Sequence, residues 1–232
     1  MSKLGPVLAV DTATRASVVV AGLDQPLAVS RREVQHRHGS HVLEQIDEVL
    51  AEAGLMLDDV AGLAVGTGPG SFTGLRVGLA TVKTIAYTRA LPLVGVMSSD
   101  ALRLAGDLDA AAVVLPAGAH DHYLAWAGVD PQLVAPGELL AAISDEPALA
   151  VDMTADVLGE EAARLDGQVE RLVSQFNLSP SLILAAARGA SGRLAAEGDG
   201  ELPDAETAGA ALWEVCRLQA RPQLDDLAQR IQ

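Results

Sequence analysis

The sequence predicts an α/β fold, a mixed sheet flanked by helices. Three observations carry this. Val7-Leu8-Ala9-Val10 is an apolar run that Asp11 ends, and two further strand-like runs follow it across short turns. From residue 40 onward, helix-period segments alternate with short apolar runs, the pattern of a sheet covered on both faces. Between Leu63-Ala64-Val65 and a helix-compatible run to Arg89 stands Gly66-Thr67-Gly68-Pro69-Gly70-Ser71-Phe72-Thr73-Gly74-Leu75-Arg76: a strand, a glycine-rich turn and a helix start.

Each element follows from local chemistry. Residues 7–10 make the first strand and residues 16–21 its antiparallel partner, after the turn Asp11-Thr12-Ala13-Thr14-Arg15. Residues 27–32 make a third strand beyond Asp24-Gln25-Pro26. Leu43, Ile46, Leu50 and Ala53 recur at helical spacing, with Glu44, Asp47 and Glu48 on another face, so residues 40–53 read as an amphipathic helix that Gly54 ends. Residues 60–65 form a strand, and the helix after the glycine turn runs to about residue 89, with Ser71 or Thr73 as its cap. Leu93-Val94-Gly95-Val96 is a strand, and a short helix ends near Gly106. The second half starts again with strands at 111–115 and 123–129, then helical patterns at 136–143 and 205–219. Residues 189–203 are rich in Gly, Ala and acids and read as a loop; residues 222–232 read as a polar helix or tail. The expected division is 1–106 and 107–232.

Charge is distributed unevenly. Residues 1–106 carry 9 Lys+Arg and 10 Asp+Glu, whereas residues 107–232 carry 7 and 21, a net charge of −14. Nucleic-acid binders show a basic patch, and the second half would repel a phosphate backbone. A single cysteine, Cys216, excludes an intramolecular disulfide and fits a reducing compartment. No apolar run reaches a membrane-spanning length, and the first residues make a poor signal peptide, so a cytoplasmic location is expected.

Two constellations could hold an anion. Asp11, Thr12 and Thr14 place a carboxylate and two hydroxyls at the end of the first strand, where phosphate or hydrated Mg²⁺ could bind; the alternative is a hairpin turn. Gly68, Gly70 and Ser71 belong to a turn whose amides and helix dipole suit an anion; the alternative is a tight connection without a ligand. The spacing matches neither a Walker loop nor Gly-x-Gly-x-x-Gly. His36, His38 and His41 flank a helix start and read as solvated rather than metal-binding, as do His120 and His122. No nucleophile elbow is present.

A third constellation concerns contact with another chain. Gly74 and Gly78 thin the helix after the glycine turn, and Leu75, Leu79 and Val82 form an apolar stripe beside them. Helical glycine costs about 0.5–1 kcal/mol against alanine, usually offset by a close approach. With Leu43, Ile46 and Leu50 on the neighbouring helix, this face could meet a partner or a second copy; the alternative is internal packing against the sheet. On the partner reading, a bulky residue at Gly78 would block binding and leave the chain folded.

Val7-Leu8-Ala9-Val10-Asp11-Thr12-Ala13-Thr14, His38-Gly39-Ser40-His41-Val42-Leu43 and Gly68-Pro69-Gly70-Ser71-Phe72-Thr73-Gly74-Leu75-Arg76-Val77-Gly78 together resemble the TsaB (YeaZ) family over about residues 7–100. The resemblance implies a two-lobe actin-like ATPase (ASKHA, ribonuclease H-like) fold. It implies a non-catalytic role in making N6-threonylcarbamoyladenosine at position 37 of tRNAs that read codons beginning with A. In that system TsaC makes threonylcarbamoyl-adenylate, TsaD transfers the threonylcarbamoyl group and TsaE binds ATP. The implied partners are TsaD and TsaE, with a homodimer as an alternative and tRNA met only through the complex; ATP and Mg²⁺ belong to the complex. The helices that dock on TsaD would correspond to residues 40–53 and 73–89. The paired-His metal motif of TsaD has no counterpart here. Ala117-Gly118-Ala119-His120-Asp121-His122-Tyr123 departs from the family's Asp-Ala-Arg-x-Gly-Glu-Val-Tyr pattern, only the Tyr being kept. The ASKHA resemblance also permits the rival reading, an ATPase or phosphotransferase using Asp11 and the Gly68–Gly70 turn.

Overall fold

The computed structural model describes residues 5–33, 38–105, 112–143, 147–151, 181–185 and 205–231. The chain forms two compact units: Met1–Ala105 with Pro203–Gln232, and Gly106–Leu202. Residues Pro203–Gln232 thus group with the first unit and not with the stretch that precedes them.

The first unit is built on a five-stranded sheet of order β3-β2-β1-β4-β5, with β1 Val7–Asp11, β2 Ala16–Gly22, β3 Pro26–Glu33, β4 Gly62–Gly66 and β5 Leu93–Val96. The meander β1-β2-β3 is antiparallel, and β4 and β5 add parallel to β1 on its other side. Strand β1 is an unbroken apolar run because both of its faces are covered. Leu8 and Val10 face one layer, with Val42, Ile46, Val49 and Leu50 of α1 (His38–Glu52) and Val82, Ile85 and Ala86 of α2 (Phe72–Arg89). Val7 and Ala9 face the other, formed by α3 (Ser98–Ala105) and the C-terminal segment.

That segment comprises α5 (Ala205–Val215), a π-helical turn (Cys216–Ala220) and α6 (Arg221–Ile231). Leu212, Trp213, Val215, Cys216, Ala220 and Leu224 are buried against the sheet. Its seat is cut into the meander: a Cβ on Gly22 would lie 2.8 Å from the Trp213 ring, and one on Gly209 would overlap Val29.

Helix ends follow their chemistry. Gly54, at φ +69, closes α1 in the left-handed region, where glycine carries no Cβ penalty. The Ser71 hydroxyl accepts the Gly74 amide at 3.2 Å and caps α2, as the sequence suggested. In α1 the buried stripe uses Val42, Ile46 and Val49, so Leu43 points outward.

The second unit repeats the plan. Its sheet has the order β10-β9-β6-β7-β8, with β6 Ala112–Ala117, β7 Asp121–Ala125, β8 Gln132–Val134, β9 Pro147–Val151 and β10 Ser181–Ala185; α4 (Leu139–Ile143) lies between β8 and β9. Strand β6 pairs antiparallel with β7 and parallel with β9, as β1 does with β2 and β4. Strand β10 runs antiparallel to β9, unlike β5 beside β4. The repeat is therefore real as topology, though no sequence self-similarity announces it. His36 and the expected loop at 189–203 lie outside the described residues.

Candidate functional site

The β1–β2 turn and the glycine turn meet at the ends of β1 and β4. Asp11 Oδ1 accepts the Ala13 amide at 2.8 Å, while Oδ2 is buried beside Gly66 and Ser98. A Cβ on Gly66 would overlap that oxygen and lie 2.7 Å from Ser98 Oγ, so this glycine is required by the carboxyl beside it. Burial raises the Asp11 pKa above the usual carboxylate range, and the Ser98 hydroxyl and Ala13 amide oppose this only in part. Cys216, buried near it, has its thiol pushed up to about 12 by burial and by the Asp11 charge, and is no nucleophile.

Several donors of the expected anion cradle are engaged by the chain itself. The Gly68 amide donates to Ser98 Oγ (3.1 Å), the Ser98 amide to the Gly68 carbonyl (2.9 Å), and the Ser71 amide to the Ala13 carbonyl (2.7 Å). The Gly74 and Leu75 amides donate to Ser71. Gly70, at φ +153, leaves room for the Ala13 carbonyl where a side chain would stand. The Thr12 hydroxyl donates to the Gly74 carbonyl (2.8 Å), and Thr14 bonds within its own turn to Ala16. Asp11, Thr12, Thr14, Gly68, Gly70 and Ser71 are thus brought together, but as a packed joint. The Gly68, Ser71, Gly74 and Leu75 amides are thus used within the joint, and the second Asp11 carboxylate oxygen is buried.

The same joint explains the helical glycines. A Cβ at Gly74 would overlap the Thr12 carbonyl, and one at Gly78 the Thr12 hydroxyl. The close neighbour is therefore the β1–β2 turn, not another chain, and a bulky residue at Gly78 would break the fold. Ile46, Leu50 and Val82 are likewise buried in the core, Leu75 and Leu79 are half-buried, and only Leu43 (51 % exposed) stands well out.

The outward surface of these helices is carried by residues the sequence reading passed over. Phe72 is 73 % and Tyr87 89 % exposed. With Arg76, Leu79 and Lys83 they lie at i, i+4, i+7, i+11 and i+15, one stripe along α2. The Arg76 guanidinium lies 5.4 Å from the Phe72 ring centre. The available signal was compositional: the chain has six aromatics, and two of them stand on one helix that has cations and no acid. Among the described residues no group of His, Cys, Asp or Glu could hold a metal, and His41 instead faces Glu44 at 3.5 Å. No helix among them is long and apolar enough to cross a membrane.

A family model described as TsaD, tRNA N6-adenosine threonylcarbamoyltransferase, matches residues 29–186. The Escherichia coli protein TsaB of tRNA threonylcarbamoyladenosine biosynthesis is 36 % identical over 90 residues, 39 % of this chain and 39 % of its own length. The chain belongs to the TsaD family and, within it, to TsaB (YeaZ). TsaB of Haemophilus influenzae is 38 % identical over 41 % of this chain and 40 % of its own length, so the match spans about two fifths of these relatives. The Methylobacterium nodulans tRNA N6-adenosine threonylcarbamoyltransferase is 30 % identical over 63 % of this chain and 47 % of its own length. A solved Pseudomonas aeruginosa structure, described as similar to the peptidase YEAZ, superposes with a TM-score of 0.61 at 19 % identity over 94 % of this chain and 93 % of that one. That likeness is one of fold, two α/β units each built on a mixed five-stranded sheet. A second family model, the contractile injection system ATPase helical domain, matches only residues 155–222.

Proposed function

We propose that this chain is a non-catalytic subunit that binds TsaD and is required for forming N6-threonylcarbamoyladenosine at position 37 of tRNAs reading codons that begin with A. The observation that supports this most is the outward face of α1 and α2. Phe72 and Tyr87 stand almost free of the molecule on α2, with the half-buried Leu79 in the same stripe, and Leu43 is exposed on α1. Exposed aromatics gathered on one face mark an interface, and such residues commonly dominate its binding energy. TsaD is itself a relative of this chain, so a related pair of helices is available on the partner. TsaE completes the assembly, and tRNA meets the complex rather than this chain, whose residues 107–232 carry a net charge of −14.

The rival phosphotransferase reading would need an accessible carboxylate at the glycine turn, where the second Asp11 oxygen is buried. The deciding experiment is reconstitution with TsaC, TsaD, TsaE, tRNA, threonine, bicarbonate and ATP. Modified adenosine should form with this chain and not without it. Phe72→Ala and Tyr87→Ala should each weaken TsaD binding by roughly 10–100-fold in a calorimetric titration, with melting unchanged. Full modification in the chain's absence, or unaltered affinity of both variants, refutes the reading.

A further inference from the structure

The sheet of the second unit ends in an open strand. In the order β10-β9-β6-β7-β8, β8 (Gln132–Val134) is hydrogen-bonded to β7 on one side only. One row of side chains crosses this sheet from Leu115 through Tyr123 to Leu133, because these three are in register on neighbouring strands. Burial falls along the row: Leu115 is fully buried, Tyr123 half-buried and Leu133 64 % exposed. The exposed Val129, in the β7–β8 turn, extends the apolar edge. Natural sheet edges are commonly blunted by charge within the strand. Strand β3, at the edge of the other sheet, carries Arg31, Arg32 and Glu33; β8 carries no charge at all. The charges lie instead at its two ends and share one sign. Asp130 precedes β8, while Glu138 follows it and Asp121 opens the neighbouring strand at that same end. Asp130 and Glu138 are exposed, and none of the three has an ion-pair partner among the described residues. From residue 104 to 163 the sequence has 11 Asp+Glu and neither Lys nor Arg, so no cation of that stretch can answer them.

We propose that β8 is a docking edge for a basic, extended segment of another protein, which adds to this sheet as a further strand, seats an apolar side chain beside Leu133 and sets Lys or Arg against Asp130 and Glu138. An added strand continues the Leu115–Tyr123–Leu133 row, and cross-strand apolar neighbours are what stabilise a sheet pair. In such complexes main-chain hydrogen bonds give affinity and side chains choose the partner. Pro131 and Pro136 bracket β8 and hold the ladder to a few residues. The ladder by itself is therefore short, and the flanking carboxylates select which segment pairs with it. A segment with a cation on either side of a central apolar residue meets both demands. A second copy of this chain does not: two β8 edges laid together bring carboxylates against carboxylates at both ends. Nucleic acid is repelled for the same reason. Helices α1 and α2 play no part in this contact, so TsaD binding can fail without touching it.

Fluorescence anisotropy of the full chain with two labelled synthetic peptides tests it, one alternating Arg with Val and the other alternating Glu with Val. The Arg peptide should bind, more weakly as salt rises, and the Glu peptide should not. Leu133→Ser should weaken the Arg peptide severalfold. Asp130→Lys/Glu138→Lys should weaken it by about tenfold or more and should take up the Glu peptide instead. All three sites are exposed, so unchanged melting curves confirm that the variants fold. Hydrogen exchange over residues 132–134 should slow when the Arg peptide is bound, which loose attraction between charges does not produce. Absence of binding, equal binding of the two peptides, indifference to Leu133→Ser or unchanged exchange at β8 each overturn the proposal. A free chain that sediments as a dimer, and as a monomer once it carries Leu133→Ser, gives the edge to a second copy and overturns it equally.

Discussion

Asp11 ends a strand with a carboxyl that the fold prefers neutral. Its pKa is raised in the folded chain by burial, so the unfolded chain ionises first as pH rises. Stability from the neutral form is fully present below the unfolded pKa and is lost as pH climbs toward the raised folded one. Asp11→Asn keeps the carbonyl that accepts Ala13 and removes this loss. The variant should therefore gain on the unaltered chain from pH 4 upward, the difference widening until both forms of Asp11 have ionised; urea titrations across that range measure it. Gly78 supplies a second case. A methyl group there meets the Thr12 hydroxyl, itself bonded to the Gly74 carbonyl. Gly78→Ala should cost about 1–3 kcal/mol, the usual range for overpacking. Thr12→Ala in the same chain should recover part of that cost, because the two sites touch. Additive losses in denaturant midpoints would show that the clash is relieved elsewhere.

Helix α1 shows what a polar group does inside an apolar layer. Gln45 is fully buried: its Oε1 accepts the Ser17 hydroxyl at 2.5 Å, and its Nε2 reaches Ser30 Oγ at 3.3 Å. Gln45→Leu should cost about 1–3 kcal/mol by removing the bonds to these serines and leaving Ser17 only its longer one to the Arg32 carbonyl, and Ser17→Ala beside it should return part of the loss in thermal melts. The same helix marks where sequence reading succeeds and where it stops. Its period was legible, because Ile46 and Leu50 recur as a core stripe must. The phase was not, since Val42 and Leu43 are both apolar and only the packed sheet chooses between them. The cap at Ser71 was legible because it is a three-residue matter. The glycines of α2 were not: a missing Cβ announces a close neighbour without saying which, and here that neighbour is Thr12, some sixty residues back. The outward stripe escaped for the converse reason. An aromatic suggests core by its type, and only coordinates reveal that Phe72 and Tyr87 face out.

At the scale of the molecule, the first unit is made of two distant pieces of chain, residues 5–105 and 205–231, with the second unit inserted between them. Composition could not show this, because the partner of α5 is set by shape: the space over Gly22 that receives the Trp213 ring, and the cleared spot on Gly209 that receives Val29. Trp213→Ala should cost about 3–5 kcal/mol in equilibrium unfolding. Loss of residues 205–231 should expose Val7, Ala9, Val20, Val94 and Val96 together, seen as strong binding of an apolar dye; a truncated chain that stays dye-negative and melts as before would contradict the assignment. Synthesis makes this split consequential. Once residue 105 has left the ribosome, roughly 6–25 s pass at about 5–20 residues per second before the closing helices emerge. For that interval the nascent sheet presents one bare oily side, lined by Val7, Ala9, Val20, Val94 and Val96.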